Sequence, residues 1–145
     1  MNRWLLVFLA PILFACASTK EKEPPPKPFT GTRWQVVLEL PVAGEQPNVR
    51  FGDGRMEGFG GCNRVTARYV QDAVGARAIA IGRIEGGRRG SCDAATQDAE
   101  LRVLEVLQSV SSYIIIADTM KMSGSAGTLN FKAIDEKKPA EEKKP

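Results

Sequence analysis

Most of this chain alternates apolar and polar residues with a period of two, and one segment alone breaks that rhythm. Trp34, Val36, Leu38 and Leu40 alternate with Gln35, Val37 and Glu39, the pattern of a half-buried strand over 34–40. Val49 and Phe51 open a second strand. Gly52, Asp53 and Gly54 then supply a tight turn, so 55–59 is expected to return as the hairpin partner. Further strands are expected over 63–70, with Val65 and Tyr69 inward, over 78–84 through Ile79 and Ile81, over 112–117 and over 119–123. A last strand carries Leu129, Phe131 and Ala133. The exception is 94–110. There Leu101, Leu104 and Leu107 recur every third residue beside Val103, Val106 and Val110, while Glu100, Arg102, Glu105 and Gln108 fill the other face. This predicts one amphipathic helix. Asp93 is placed to cap it, with Thr96 where a capping box would carry Glu or Gln. The fold class is α+β: an antiparallel sheet or open β-barrel with one packed α-helix. In the run Ile114, Ile115, Ile116, the first and last share a sheet face and the middle one takes the other. Burial on both faces is expected, by core packing or as the lining of an acyl-chain cavity.

The ends of the chain are different in kind. Arg3 precedes a short apolar run that closes on Leu13, Phe14, Ala15 and Cys16. The run is shorter than the ~20 residues a membrane-spanning helix needs, and it fits the core of a cleaved signal. A small residue before cysteine is the layout of a bacterial lipoprotein signal. Residues 1–15 are then removed, and Cys16 takes a diacylglyceryl group on sulfur and an acyl group on its new amino terminus. Ala17 and Ser18 follow, with no Asp after the cysteine, which favours the outer membrane facing the periplasm. Residues 16–28 are rich in Pro and charge and lack large apolar groups, so they read as a disordered tether. Residues 135–145 read as a charged, solvated tail. The folded domain is 29–134.

The net charge is +3 and histidine is absent. The first fact, with export, argues against nucleic acid as a partner. The second removes the commonest general base and the commonest metal ligand together. No cofactor or metal is expected. Once Cys16 is acylated, Cys62 and Cys92 form an even pair in an oxidising compartment. A disulfide between them is favoured; two free buried thiols are the alternative, and a catalytic thiol would lack its His partner.

Two loops are candidate sites. Residues 58–63 are glycine-rich and could fold as a β-bulge or barrel corner, or as a nest of backbone N–H groups that binds an anion. Residues 83–90 carry Arg83, Arg88 and Arg89 among glycines. They form a solvated loop, or grip phosphate or carboxylate groups of lipid or peptidoglycan.

Gly31, Thr32, Arg33 and Trp34 at the first strand, the run from Gly58 through Gly61, Cys62 and Asn63 before a strand ending in Tyr69, and Cys92 ahead of a helix with Glu100 and Leu104 form a recognisable series. It resembles the META domain, or HslJ-like, family of small bacterial envelope lipoproteins. The resemblance implies a cracked β-barrel like that of a secretin pilot lipoprotein. It also implies links to heat shock, antibiotic tolerance, motility or virulence, and no enzymatic activity. The expected function is a non-enzymatic binding or scaffold role in outer-membrane integrity and stress tolerance. The partner would be an envelope protein, lipid or peptidoglycan, beside the membrane reached through the anchor. The alternatives are a lipid- or peptide-binding carrier or pilot protein, and an inhibitor of an envelope hydrolase that uses the arginine loop.

Overall fold

The computed structural model describes residues 24–72, 77–87 and 91–135. The signal with Cys16, the residues up to 23, Arg88 with Arg89, and the tail beyond Asp135 lie outside the described residues.

Nine strands and one helix follow in the order β1 (Arg33–Val36), β2 (Asn48–Gly52), β3 (Arg55–Phe59), β4 (Arg64–Gln71), β5 (Ile79–Ile81), β6 (Glu85–Gly86), α1 (Ala94–Ser109), β7 (Val110–Ile116), β8 (Thr119–Gly124) and β9 (Gly127–Ile134). The sheet order is β5-β4-β3-β2-β1-β9-β8-β7, with β6 added to β4. The neighbours in this path are antiparallel. The β2–β3 hairpin turns at Asp53 and Gly54, both at positive φ, the two-residue geometry whose twist suits a hairpin. The sheet curls until its two ends meet. Ala78 forms a bridge with Ser112, and the Tyr113 N–H donates to Arg77 O at 3.0 Å. The result is a nearly closed barrel with one unsealed seam, between β5 and β7.

The inside is filled. Trp34, Phe51, Met56, Leu107, Met120, Met122 and Phe131 are all less than 2 % exposed and belong to one core. Phe29 stacks on Phe51 with centroids 4.4 Å apart, and it also meets Tyr113 at 4.6 Å and the edge of Tyr69 at 5.8 Å. The Trp34 indole N–H donates to Phe29 O at 3.2 Å. The α1 helix touches β5 on one side of the seam and β8 and β9 on the other. It runs into β7 without a loop, because Val110 already has extended backbone.

Four expectations are corrected. The strand expected over 34–40 ends at Val36. Val37 keeps one bond to Asn130 O at 2.8 Å, and Leu40 is exposed. Pro41, which has no N–H to donate, follows Leu40, so pairing could not run on through it. The side chain of Gln46 then closes the loop onto Val42 through two bonds of 2.8 and 3.2 Å. The strand expected over 78–84 is only three residues long: Gly82 N–H keeps one ladder bond to Arg68 O, and Gly82 O and Ile84 N–H are then taken by the Gln108 side chain. On the helix, Leu101 is 63 % exposed while Glu100 is buried. The buried residues are Thr96, Glu100, Val103 and Leu107, spaced four, three and four, as a 3.6-residue turn requires. A strict spacing of three falls about 60° short of each turn, so Leu101 sits about 120° round from Leu107. Finally, Ile114 and Ile116 are exposed on the outer wall and only Ile115 packs inward. Ile115 faces the shared core, and no element lies over the outer side of β7 among the described residues.

This register sets a contrast measurable by urea denaturation. Leu107→Ala is expected to lose about 2–5 kcal/mol through the cavity it leaves. Leu101→Ala is expected to stay within about 0.5 kcal/mol of the parent.

Candidate functional site

The connection from β3 to β4 is a corner built on backbone donors. Gly60 N–H donates to Asn63 O at 2.8 Å and closes the corner. The N–H groups of Cys62 and Asn63 then point the same way. Both donate to Glu100 Oε2, at 2.9 and 2.7 Å, while the Asn63 side-chain amide donates to Glu100 Oε1 at 2.7 Å. Hydrogen bonds to an ionised carboxylate are roughly twice as strong as neutral ones. Gly60 is required by contact: a Cβ there would stand 2.6 Å from Glu100 Oε2. The two readings of residues 58–63 therefore merge. The stretch is a structural corner and also an anion nest, and its anion is the chain's own carboxylate.

A covalent link lies beside the nest. Cys62 and Cys92 form a disulfide with Cα atoms 5.9 Å apart. It joins the corner to the residue ahead of the helix cap. Asp93 accepts from Thr96 N–H at 2.9 Å and from the Thr96 hydroxyl at 2.7 Å. These bonds hold its carboxyl below the ordinary carboxylate range, the side-chain bond contributing most. Thr96 thus serves the cap from the position where a capping box carries Glu or Gln. Gln97 adds a bond to Cys92 O at 2.7 Å.

The candidate residues separate into groups. Cys62, Cys92 and Asn63 come together around Glu100, and Gly61 packs behind them near Pro47. Gly31, Trp34 and Tyr69 serve the barrel instead. Gly31 N–H donates to Phe51 O at 2.9 Å, and Tyr69 N–H to Gly54 O at 2.9 Å. Burial raises the Tyr69 phenol above its ordinary pKa. Arg83 is exposed between β5 and β6, apart from the nest. Sequence reasoning missed Glu100, which it placed on the solvent face. A signal was present. Thr96, Val103 and Leu107 share a helical stripe with position 100, and a glycine corner rich in N–H groups requires an acceptor.

The nest faces inward, so a binding surface must be sought outside it. A groove of about 670 Å³ runs between the loop over 37–43, the flank of α1 and the start of β9. Val37, Leu38, Leu40, Val42 and Val106 give it an apolar lining; Glu39, Asp93, Asp98 and Arg102 stand around it. Along this side β1 stops at Val36, opposite Phe131. Thr128 and Leu129 pair only with Ser123 and Met122 of β8, which leaves the other edge of β9 to the groove. Among the described residues no three of His, Cys, Asp and Glu gather as a metal cluster. What the groove offers is contact and strand pairing.

Replacing Glu100 tests the nest. Glu100→Ala strands three donors in a buried corner and is expected to lose about 2–4 kcal/mol in urea denaturation. Gly60→Ala is expected to destabilise in the same direction by displacing the same carboxylate.

Comparison with known proteins agrees on the fold. A protein from Burkholderia xenovorans solved by NMR has a TM-score of 0.59 at 20% identity, over 74% of this chain and 85% of that one. A second NMR structure gives 0.55 at 14% identity, over 70% and 87%. A crystal structure of a DUF4847 family protein from Bacteroides vulgatus gives 0.52 at 13%, over 74% and 96%. No curated protein matches the chain. The META domain profile matches residues 27–136, which takes in every strand, the helix, the nest and the disulfide, and the chain belongs to the META domain family.

Proposed function

We propose that this META domain protein is an exported lipoprotein, anchored through acylated Cys16 and acting without catalysis as a binding or scaffold module in the cell envelope. The observation that carries the reading is the Cys62–Cys92 bridge. Disulfides persist in oxidising compartments outside the cytosol, and the apolar run ending in Cys16 supplies a route there. The outer membrane facing the periplasm is the proposed site, and envelope integrity under stress the proposed role. Glu100, the most enclosed carboxylate described, has both oxygens engaged by the nest, which supports a role in architecture over one in acid–base chemistry.

One observation favours a carrier or pilot as a second reading. The short stretch of β9 at Thr128 and Leu129, which has no strand on its outer edge among the described residues, borders an apolar groove, and an extended peptide can add to such an edge as a further strand.

Two measurements test the proposal. Labelled palmitate is expected to enter the wild-type protein in its host and to be lost in Cys16→Ser; a labelled Cys16→Ser protein, or an unlabelled wild type, would refute the anchor. Reduction of the Cys62–Cys92 bridge is expected to lower unfolding stability by about 3–4 kcal/mol through the reopened loop, read as the urea-midpoint difference with and without reductant.

A further inference from the structure

Among the described residues six large aliphatic side chains are exposed, and three of them share one depression. Ile114 and Ile116 project from the outer wall of β7 at 38 % and 52 % exposure, and Val37 stands at 59 %. All three line a hollow of about 400 Å³ on the outside of the barrel, together with Lys121 and Lys132. Single exposed aliphatics need no explanation, whereas a grouped patch marks a contact surface.

The path of the chain indicates what covers it. Lys27 N–H donates to Ala117 O at 2.7 Å, so the N-terminal segment joins the barrel at the β7–β8 turn, next to Ile116. Seven residues lie between Cys16 and Pro24. Fully extended, that length spans no more than about 29 Å. A lipid on Cys16 therefore keeps this end of the barrel, and the wall beside it, within reach of the bilayer. The chemistry of the wall suits that neighbour. Aliphatic groups at its centre can enter the headgroup boundary while long lysine stems reach outward to phosphate. Lys121 lies directly across from Ile114. Lys132 is paired with Asp118 at 2.5 Å, and Lys121 stands beside the isoleucines as a cation for headgroups. We infer that the outer wall of β7 and β8, centred on Ile114 and Ile116, is a membrane-resting face that seats the domain on the phospholipid surface to which its N-terminus is tethered. The inference rests on the anchor proposed above and adds to it an orientation.

The test uses the chain from Cys16 onward, which contains every described residue, coupled through the Cys16 thiol to a maleimide lipid. The vesicles contain phosphatidylethanolamine and phosphatidylglycerol. Hydroxyl-radical footprinting reads the side chains. Oxidation of Ile114 and Ile116 is expected to fall about threefold or more on vesicles relative to the same chain in solution. Leu101 and Val70, which are 63 % and 71 % exposed on other surfaces, are expected to keep their solution rates. Unchanged isoleucines, or an equal fall at all four positions, would overturn the orientation. So would protection of the isoleucines that grows with protein concentration without vesicles, which assigns the face to a second copy. Because the coupling supplies the anchor, this outcome is independent of acylation in the cell, which palmitate labelling tests separately.

Discussion

A carboxylate withdrawn from water costs several kcal/mol unless its oxygens find donors, and a corner of backbone N–H groups carries the matching penalty unless an acceptor arrives. Glu100 and the stretch from Gly60 to Asn63 answer each other. Two backbone donors and one side-chain amide converge on a single carboxylate at 2.7–2.9 Å. The match fixes where the helix lies. Position 100 meets the corner in only one rotation of α1, and that rotation carries Val103 and Leu107 into the core. Apolar burial supplies more of the gross stabilisation, but it is tolerant of sliding. The nest is directional, and it selects one packing from the many that burial alone would permit.

The disulfide and Gln108 extend this fixation to the two ends of the helix. Cys92 ties the chain just ahead of the cap to the corner. Near the other end, the Gln108 side chain donates to Gly82 O at 2.7 Å and Ile81 O at 3.3 Å and accepts from Ile84 N–H at 3.1 Å. Both attachments run to the β3–β5 side of the seam, while α1 passes directly into β7 on the opposite side. The helix is thus a strap across the gap that the sheet leaves open. A barrel closed by backbone pairing all round would not need it.

Periodicity made the strands and the helix legible, because alternation at Val49, Phe51, Val65, Tyr69, Ile79 and Ile81 is a local property of the chain. The Asp53–Gly54 turn was legible for the same reason; the Cys62–Cys92 pair was legible from the cysteine count and the expected compartment instead. Three features were not, two of them because they depend on a distant partner. Glu100 is polar, so a stripe drawn from hydrophobicity placed it in water; only the β3–β4 corner makes its burial favourable. Leu101 looked like core because leucine spacing was followed in place of helical rotation. The outward isoleucines of β7 looked like core because the run of three is uniform, and which face meets the core depends on how the whole barrel closes. The META resemblance supplied the family, through Gly61, Cys62 and Asn63, and the nest now gives those residues a physical reason to stand together.

The same strap explains where further pairing can occur. An open barrel has exposed backbone at its seam, and unpaired strand edges attract other chains. Here the β5 edge is occupied at Ile81 and Gly82 by the Gln108 amide, and Arg77 O is taken by Tyr113 N–H. Among the described residues the edge of β9 at Thr128 and Leu129 has no such cover, because β1 pairing ends at Val36. The chain thus blocks one edge with side-chain amides and leaves another, bordered by Leu38, Leu40 and Val42, as a place where a strand could add. That place is flanked by α1, whose rotation the Glu100 nest has already set. A ligand that pairs there therefore meets a helix flank fixed in advance, and little of its binding energy goes to ordering the receptor.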